Sequence, residues 1–300
     1  MPEGPSVRVF HQRVSPFVGQ RVASAGGSTR KLEPAALQGL RLVETQVHGK
    51  ILFLRFDPDE ETGGQSAPEP LGPQAQREGP GGQEGPARCP GGTAGMWLQV
   101  RFGLFGSIRR NEFSRATQAN KRGDWRDPTP RLLLRFVGGS FLTFYACQLT
   151  CCPGPMGTAT SDILSQMFQR GQALEALRQA RPVCYTLMEQ RHFSGLGNII
   201  KNEALYEARV HPLSLGSMLS RAQLEALLDQ ALAFSADWLR GKVEGHRQHT
   251  HIYQKVHCPD GHPVQREALG PPGGLKRLTW WCPQCQPQVS LEEQGQQQAF

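Results

Sequence analysis

The spacing of apolar positions changes near the middle of the chain. Before about residue 150, short runs of β-branched and aromatic residues such as Ile51–Phe56 predict buried strands. Beyond about residue 160, apolar residues recur every three or four positions, as they do along one face of a helix. The pattern therefore predicts an α+β protein with two domains, one mainly of strands and one mainly of helices.

The N-terminal half is predicted to be a β-sandwich or barrel preceded by one helix. Val7, Phe10 and Val14 have the spacing of one helical face and predict that helix. Two apolar runs that meet at Gly138–Gly139 predict a β-hairpin. The predicted helix covers residues 6–17, and the predicted strands lie within residues 51–56, 96–110 and 130–147.

A low-complexity stretch interrupts this half at residues 57–95, which are dense in Pro, Gly, Gln and Glu. Such a stretch cannot bury enough apolar surface to offset the entropy of ordering it, so it is predicted to be a disordered insertion. The predicted divisions are a β domain at 1–149 with this insertion, a linker at 150–160, a helical domain at 161–245, a Cys- and His-containing segment at 246–288 and a tail at 289–300.

The C-terminal half is predicted to contain several helices with identifiable ends. Asn198 follows a Ser-Gly-Leu-Gly turn and has a side chain suited to an N-cap. Ser220 and Gln223 have the spacing of a capping box. The predicted helices lie at residues 161–168, 172–179, 183–193, 198–210 and 220–241.

Charge and cysteine content narrow the class of protein. The net charge of +7 suits a polyanionic partner such as nucleic acid, although charge governs association rather than fold. No apolar run approaches the roughly 20 residues of a membrane span, and no signal peptide is recognisable, so no membrane association is expected. The eight cysteines are therefore expected to be free thiols or metal ligands in a reducing compartment.

Two pairs of potential metal ligands lie near the end of the chain, Cys258 with His262 and Cys282 with Cys285. Each pair lies on a tight turn, and the nineteen residues between the pairs allow a β-hairpin. Three thiolates and one imidazole complete a tetrahedral shell with no position open for water, which is typical of structural zinc. We therefore predict one structural zinc ion in a zinc finger, and no redox or nucleotide cofactor.

The same segment carries cations and histidines outside the ligand set. Lys276 and Arg277 follow a Gly-Gly turn and are either a phosphate clamp, since arginine binds phosphate through two parallel hydrogen bonds, or two exposed cations. Four upstream histidines are interpreted as solvated or phosphate-contacting residues: His246, His249, His251 and His257.

The first residues, MPEGPS, allow two interpretations. Two prolines and a glycine are typical of a frayed chain end. Alternatively, once Met1 is removed, Pro2 presents a secondary amine beside the carboxylate of Glu3. The stretch by itself favours the first interpretation, and the other motifs have to decide between them.

Together these motifs resemble the formamidopyrimidine-DNA glycosylase and endonuclease VIII family. The similar segments are, in order, the PEGP start, HGK before a strand, SGLGNIIKNEALYEARVHP and the terminal finger. The insertion and the Cys-His-Cys-Cys finger are most similar to the vertebrate endonuclease VIII-like members. The resemblance implies a two-layered β-sandwich preceded by a helix, followed by a helix–two-turns–helix domain with a β-hairpin zinc finger.

The resemblance also implies a chemistry in which Pro2 is the nucleophile, Glu3 the general acid and Lys50 an acid for β-elimination. An α-amino group has a pKa of about 8, so a usable fraction is neutral near physiological pH, unlike lysine. Such an amine can attack the sugar C1′, expel the base and form an iminium from which elimination cuts the strand. Without the motif, Lys50 would be read as a plain lysine at a strand edge.

Further residues acquire DNA-contacting roles from the same resemblance. Arg277 would bind the lesion phosphate and assist δ-elimination, with Lys276 beside it. Asn198 would bind a backbone phosphate. Leu104 would fill the void left by the damaged nucleotide, although it could equally be a core residue. Ser6 stands where bacterial relatives commonly have glutamate, which leaves open the base that is removed.

We therefore expect a bifunctional DNA glycosylase and abasic-site lyase that removes oxidised pyrimidines by β,δ-elimination. Only one void-filling residue can be placed, which suits lesions in bubbles or single strands as well as duplex DNA. The alternative is a catalytically silent zinc-dependent DNA-binding protein or repair scaffold on the same fold. The chain is expected to be a monomer in the nucleus, with cytoplasm and mitochondria left open, and to recruit repair proteins through its insertion.

Overall fold

The computed structural model describes residues 2–59, 95–119, 123–157 and 159–288. The predicted insertion at 57–95 lies outside these residues except at its ends, where Asp57 closes a strand, and the predicted tail at 289–300 lies entirely outside them. The chain forms two compact units. The N-terminal unit comprises Phe10–Gln46 and Ile51–Pro155, and the C-terminal unit comprises Pro2–Val9, Val47–Lys50 and the chain from Met156.

The N-terminal unit is built on one six-stranded sheet in the order β1-β5-β6-β4-β3-β2. The pairs β1/β5, β5/β6, β6/β4 and β4/β3 are antiparallel. The strands are β1 (Val22–Gly26), β2 (Arg41–His48), β3 (Ile51–Asp57), β4 (Met96–Arg110), β5 (Leu132–Phe136) and β6 (Phe141–Cys152). Helix α1 (Gly4–Val14) precedes them, and short 3₁₀ helices occupy Ser15–Phe17 and Pro34–Leu37.

The two longest strands, β4 and β6, share an irregularity near their middles. Their register shifts between Phe102 and Ser107, and Phe105 and Ala146 adopt positive φ angles of 65° and 44°. A bulge of this kind bends a strand and increases its twist, so a single hydrogen-bonded sheet can supply the two layers expected of a sandwich.

The strongest sequence patterns of this half correspond to observed elements. Val7, Phe10 and Val14 are all buried on one face of α1, which confirms the predicted amphipathic helix. Strands β5 and β6 form the predicted hairpin, with Gly139 at φ 78° in the turn, where an L side chain would be strained. Strand β6 runs to Cys152 and thus continues into the residues predicted as a linker.

The C-terminal unit packs helices around one apolar core and adds a two-stranded hairpin. The predicted capping box is confirmed, because Ser220 and Gln223 exchange both hydrogen bonds at the start of the longest helix. That helix buries Leu224, Leu227 and Leu228, as its periodicity predicted. The elements are α2 (Arg170–Leu177), α3 (Val183–Thr186), α4 (Asn198–Glu207), a 3₁₀ helix at Gly216–Met218, α5 (Arg221–Val243), β7 (Gln265–Leu269) and β8 (Arg277–Trp281).

Two helix predictions in this unit are wrong. Residues 161–168 form turns, because Asp162 accepts a hydrogen bond from Leu164 N and Ile163 N donates to the distant Ser194 O. The helix predicted at 183–193 ends at Thr186, and Gln190 then bonds the backbone of the following turn. A long-range hydrogen bond replaces helical ones in the first segment, and local turn hydrogen bonds replace them in the second.

None of the helices in the described part of the chain has both the length and the apolarity needed to cross a membrane.

Candidate active site and metal centre

The carboxylate of Glu3 lies at the start of helix α4. Glu3 is buried, and its Oε1 and Oε2 accept hydrogen bonds from Ile199 N (2.8 Å) and Ile200 N (3.2 Å). The first N–H groups of a helix have no partner within the helix and need an acceptor from elsewhere. A residue almost two hundred positions away therefore caps α4, and the positive end of the helix dipole faces its carboxylate.

Asn198 is not the N-cap of α4 as predicted, because Gly197 occupies that position and Asn198 is the first helical residue. A Cβ atom added to Gly197 would lie 2.2 Å from Glu3 Cδ. The capping position must lack a side chain so that a carboxylate from another segment can take its place. Packing against Glu3, rather than the capping propensity of Asn198, therefore decides which residue is the N-cap.

The segment around Pro2 is anchored on both sides of Glu3. Val7 N donates to Glu3 O at 3.2 Å, so the backbone of Glu3 begins α1 while its side chain caps α4. Gly4 N donates to Gly195 O at 2.8 Å, and a Cβ on Gly4 would lie 3.1 Å from Gly195 Cα. Pro2 itself is half-buried. These contacts argue against the frayed-end interpretation of MPEGPS.

Neighbouring charges and hydrogen bonds modify the effect of burial on the pKa values of Glu3 and Lys50. Burial raises the pKa of Glu3 above its ordinary value, although Lys50 and the two backbone N–H groups act in the opposite direction. Burial lowers the pKa of Lys50 to about 8; Glu3 acts to raise it and Arg277 to lower it further. Each group is therefore poised to exchange a proton closer to neutral pH than a solvated side chain of its kind.

The strand that begins at Arg277 is held by side chains of α4. Arg277 is the first residue of β8, and the exposed Lys276 lies between it and the preceding turn. The bonds run from Asn198 Nδ2 to Leu278 O (2.9 Å), from Lys201 Nζ to Thr279 Oγ1 (2.8 Å) and from Trp280 N to Asn202 Oδ1 (2.9 Å). One rigid helix thus carries the cap site of Glu3 at its start and the strand of Arg277 along its side.

Lys201 is a residue that sequence reasoning missed. Its side chain is buried, and burial lowers the pKa of its ammonium to about 8. Asn202 and Glu203, the next residues of α4, are also buried. A run of three polar residues in a helix indicates a solvated face, and no spacing signal marks it as buried.

The four predicted metal ligands converge, and they are the one such group among the described residues. Sγ of Cys258, Sγ of Cys285 and Nδ1 of His262 are separated by 3.4–3.9 Å, and Cys282 completes the set. Ligand atoms about 2.3 Å from a tetrahedral ion are separated by roughly this distance. The donor set and its geometry therefore fit a metal ion.

Buried polar contacts join the metal cluster to α4 and its end. Glu203 accepts hydrogen bonds from three successive backbone N–H groups upstream of the cluster, those of His251, Ile252 and Tyr253. Gln286 links Cys282 N to Val210 O. Of the upstream histidines, His251 pairs with Glu207 through Nδ1 at 2.6 Å.

Leu104 belongs to the N-terminal unit and lies on the bulge of β4. Its side chain is 63% exposed, so the alternative that it is a core residue is wrong. The neighbouring Phe105, which the sequence reasoning did not single out, is 84% exposed. Exposed apolar side chains on a bulge are a costly arrangement that suits contact with another molecule.

Comparison with known proteins agrees with this geometry. The family described as the formamidopyrimidine-DNA glycosylase H2TH domain matches residues 160–246. Endonuclease 8-like 2 of Mus musculus is 59% identical over 97% of each chain, and that of Homo sapiens is 58% identical over 97% of this chain and 98% of its own. A formamidopyrimidine DNA glycosylase of Lactococcus lactis, solved with abasic-site DNA, aligns with a TM-score of 0.66 at 18% identity over 95% of this chain and 100% of its own.

Replacing Gly197 by Ala is expected to displace the Glu3 carboxylate from α4. Each backbone N–H left buried without an acceptor costs about 1–3 kcal/mol, so the free energy of unfolding is expected to fall by about 2 kcal/mol or more. Chemical denaturation measures it. Gly171→Ala is the matched control, since its added Cβ meets no described atom within 4 Å. Equal stability of the two variants would contradict the capping role.

Proposed function

The chain belongs to the formamidopyrimidine-DNA glycosylase and endonuclease VIII family, and on this premise we propose that it excises oxidised pyrimidines and cuts the strand through a Schiff base on Pro2. Members of this family are DNA glycosylases with abasic-site lyase activity that act in base-excision repair. The observation that carries the proposal is the burial of Glu3 at the start of α4, beside Lys50 and next to Pro2.

The nucleophile is the amine of Pro2 after removal of Met1. The neutral amine attacks C1′ of the damaged nucleotide, and the base leaves with the electrons of the glycosidic bond and takes up a proton. The attacking nitrogen loses its proton, and its lone pair then breaks the bond between C1′ and O4′. O4′ is protonated as the sugar ring opens, and an iminium joins the Pro2 nitrogen to C1′. The iminium acidifies the C2′ proton, and its removal expels the 3′ phosphate in β-elimination. A second elimination at the 5′ side releases the other phosphate.

Glu3 is the general acid of the first step. Burial raises its pKa, which increases the fraction that holds a proton at neutral pH. The hydrogen bonds from Ile199 and Ile200 orient the carboxyl group without occupying both lone pairs of each oxygen. Protonation of the opening sugar ring by a positioned acid contributes about 10²–10⁴-fold in rate.

Lys50 and Arg277 supply positive charge to the phosphates on which the eliminations depend. Lys50 is proposed as the acid of β-elimination, and Arg277 as the residue that binds the lesion phosphate and assists δ-elimination. Arg277 suits this role because a guanidinium binds two phosphate oxygens at once. Asn198 and the exposed Lys276 are proposed as further phosphate contacts, although Asn198 Nδ2 already donates to Leu278 O.

The metal of the Cys258–Cys285 cluster is proposed to be zinc with a structural role. Three thiolates and one imidazole occupy all four positions of a tetrahedral ion, so the site offers none for water or substrate. When bound, zinc fixes the turns that flank the β7–β8 hairpin, and the residues of that hairpin then hold Arg277 in place.

Lesions in bubbles or single strands are the proposed preferred substrates. The exposed Leu104 on the β4 bulge can fill the void left by one nucleotide, and none of the described residues is assigned a contact with the opposite strand. Extruding a base costs a few kcal/mol in duplex DNA and less where the base is already unpaired. A nuclear location follows as a proposal from the DNA substrate.

Borohydride trapping is expected to yield one covalent adduct between the protein and abasic-site DNA, at Pro2 as located by mass spectrometry. Blocking the Pro2 amine should abolish it. Glu3→Gln should slow base excision by about 10²-fold or more while retaining more of the lyase step, because the acid acts before the abasic site forms. No adduct with the unmodified protein would favour the silent DNA-binding alternative, and an adduct that survives blocking would assign the amine elsewhere.

The rate of β-elimination on preformed abasic-site DNA is expected to fall as pH rises through about 8. An acid must hold its proton, and Lys50 with a pKa of about 8 loses it above that value. In Lys50→Arg the guanidinium stays protonated, so the descending limb of the pH–rate profile should move to higher pH. An unchanged limb in this variant would exclude Lys50 as its source.

Removal of the metal is expected to abolish DNA binding and to unfold the finger. Structural zinc contributes on the order of 10 kcal/mol to folding in small modules, so a chelator or Cys285→Ser should have a large effect. Elemental analysis should find one zinc per chain, and fluorescence anisotropy measures binding. Cys152→Ser, at a free cysteine outside the cluster, should retain both the metal and the binding.

A further inference from the structure

Asp162 is a buried carboxylate outside the residues to which the mechanism assigns a role. It lies in the irregular segment before α2, and it is 1% exposed. Its two oxygens accept hydrogen bonds from three donors, and the donors lie in three different segments of the C-terminal unit: Arg8, Gly49 and Leu164.

The first of these segments follows the proposed nucleophile. Arg8 Nη2 donates to Asp162 Oδ2 at 2.7 Å from the middle of α1, and this ion pair is largely shielded from solvent. Because α1 begins immediately after Glu3, the pair fixes the rotation and position of the helix that carries Pro2 and Glu3 at its start. Shielding makes a charge-assisted bond of this length stronger than a surface pair.

The second segment carries the proposed acid of β-elimination. Gly49 N donates to the same Oδ2 atom at 2.9 Å, and Lys50 is the next residue. Gly49 has a φ of 55°, and an added Cβ would lie 2.0 Å from Ser194 Oγ. This turn can therefore take only one backbone path, and Asp162 binds it at the residue before the lysine.

Asp162 is itself held in place by the chain around it. Its Oδ1 accepts from Leu164 N at 3.0 Å, and Ile163 N donates to Ser194 O at 3.0 Å. Ser194 is followed by Gly195, whose carbonyl accepts from Gly4 N. The segment of Asp162 and the start of α1 therefore both bind the backbone of Ser194–Gly195.

We propose that Asp162 is a positioning residue that sets the distance between the Pro2–Glu3 pair and Lys50 by binding Arg8 and Gly49 through one oxygen. The inference rests on the proposed function, since it assumes that the two groups act on the same sugar. Asp162 is buried and acts through Arg8 and Gly49, so it is a positioning residue rather than a catalytic one.

The test compares Asp162→Asn with Arg8→Met, Asp162→Asn/Arg8→Met and the control Asp229→Asn. The amide retains the size of the carboxylate and one acceptor oxygen, but it loses the charge that pairs with Arg8. Asp229, on the exposed surface of α5, forms an ion pair with Arg170, and neither residue has an assigned role in the site. The rates and the pH profile of Asp229→Asn should therefore match those of the unsubstituted protein. Thermal denaturation is recorded for every variant, and rates are compared below the lowest transition.

Borohydride-trapping and β-elimination rates on abasic-site DNA are expected to fall about 10²-fold in Asp162→Asn, the scale of a displacement of about 1 Å. The double variant should fall no further than the worse single one, because both remove the same contact. The descending limb of the β-elimination pH profile should also move above 8, since a loosened turn lets Lys50 reach solvent. The charged groups that act on Lys50 are Glu3 and Arg277, and those near Asp162 are His48 and Arg8. Asp162→Asn leaves all four in place, so a shift of the limb reports the change at Asp162.

Two outcomes separate this inference from the proposed function. Trapping by the unsubstituted protein together with unchanged rates and pH profile in Asp162→Asn would overturn the positioning role alone. Absence of trapping by the unsubstituted protein would overturn the proposed function. A loss of rate with an unmoved pH limb and additive single effects would mean that Asp162 only stabilises the fold, which also contradicts the positioning role.

Discussion

The capping of helix α4 by Glu3 is the contact on which the arrangement of the site depends. A helix start needs hydrogen-bond acceptors, and a general acid needs a buried and oriented carboxyl group. Both needs are met where Glu3 accepts hydrogen bonds from Ile199 N and Ile200 N, and Gly197 at the N-cap leaves room for the Glu3 side chain. The opposing effects of burial and hydrogen bonding on Glu3 leave its pKa raised, which keeps the group useful as an acid.

The same helix determines where the finger lies within the C-terminal unit. Three of its side chains bond β8, and Glu203 binds the backbone that leads to the first metal ligand. These are buried polar contacts, which are directional and costly to leave unmade, so they specify one placement of the hairpin. The position of Arg277 relative to Glu3 is therefore set through ten residues of rigid helix, Asn198–Glu207, rather than through a flexible loop.

Elements with strong periodicity could be predicted and those that depend on distant partners could not. Helix α5 has a capping box and a regular apolar face, and both are local properties. Residues 161–168 have a helical pattern too, but Ile163 N bonds Ser194 O and Asp162 bonds Arg8 and Gly49 instead. The N-cap of α4 was predicted wrongly for the same reason, because the hydrogen-bond acceptor is Glu3, which is distant in sequence and cannot be identified from local residue preferences.

Residue types and their order in the chain specify the available chemistry: the amine and carboxylate of the first residues, the four metal ligands, and the order of strand and helix patterns. These follow from residue type and short-range spacing, which a linear chain displays directly. Tertiary structure alone decided that Pro2–Val9 and Val47–Lys50 belong to the helical unit, that Lys201 and Asp162 are buried, and that Lys50 has a lowered pKa. Burial and long-range hydrogen bonds are properties of the packed chain, and they cannot be inferred from the type of a residue or from its neighbours in sequence.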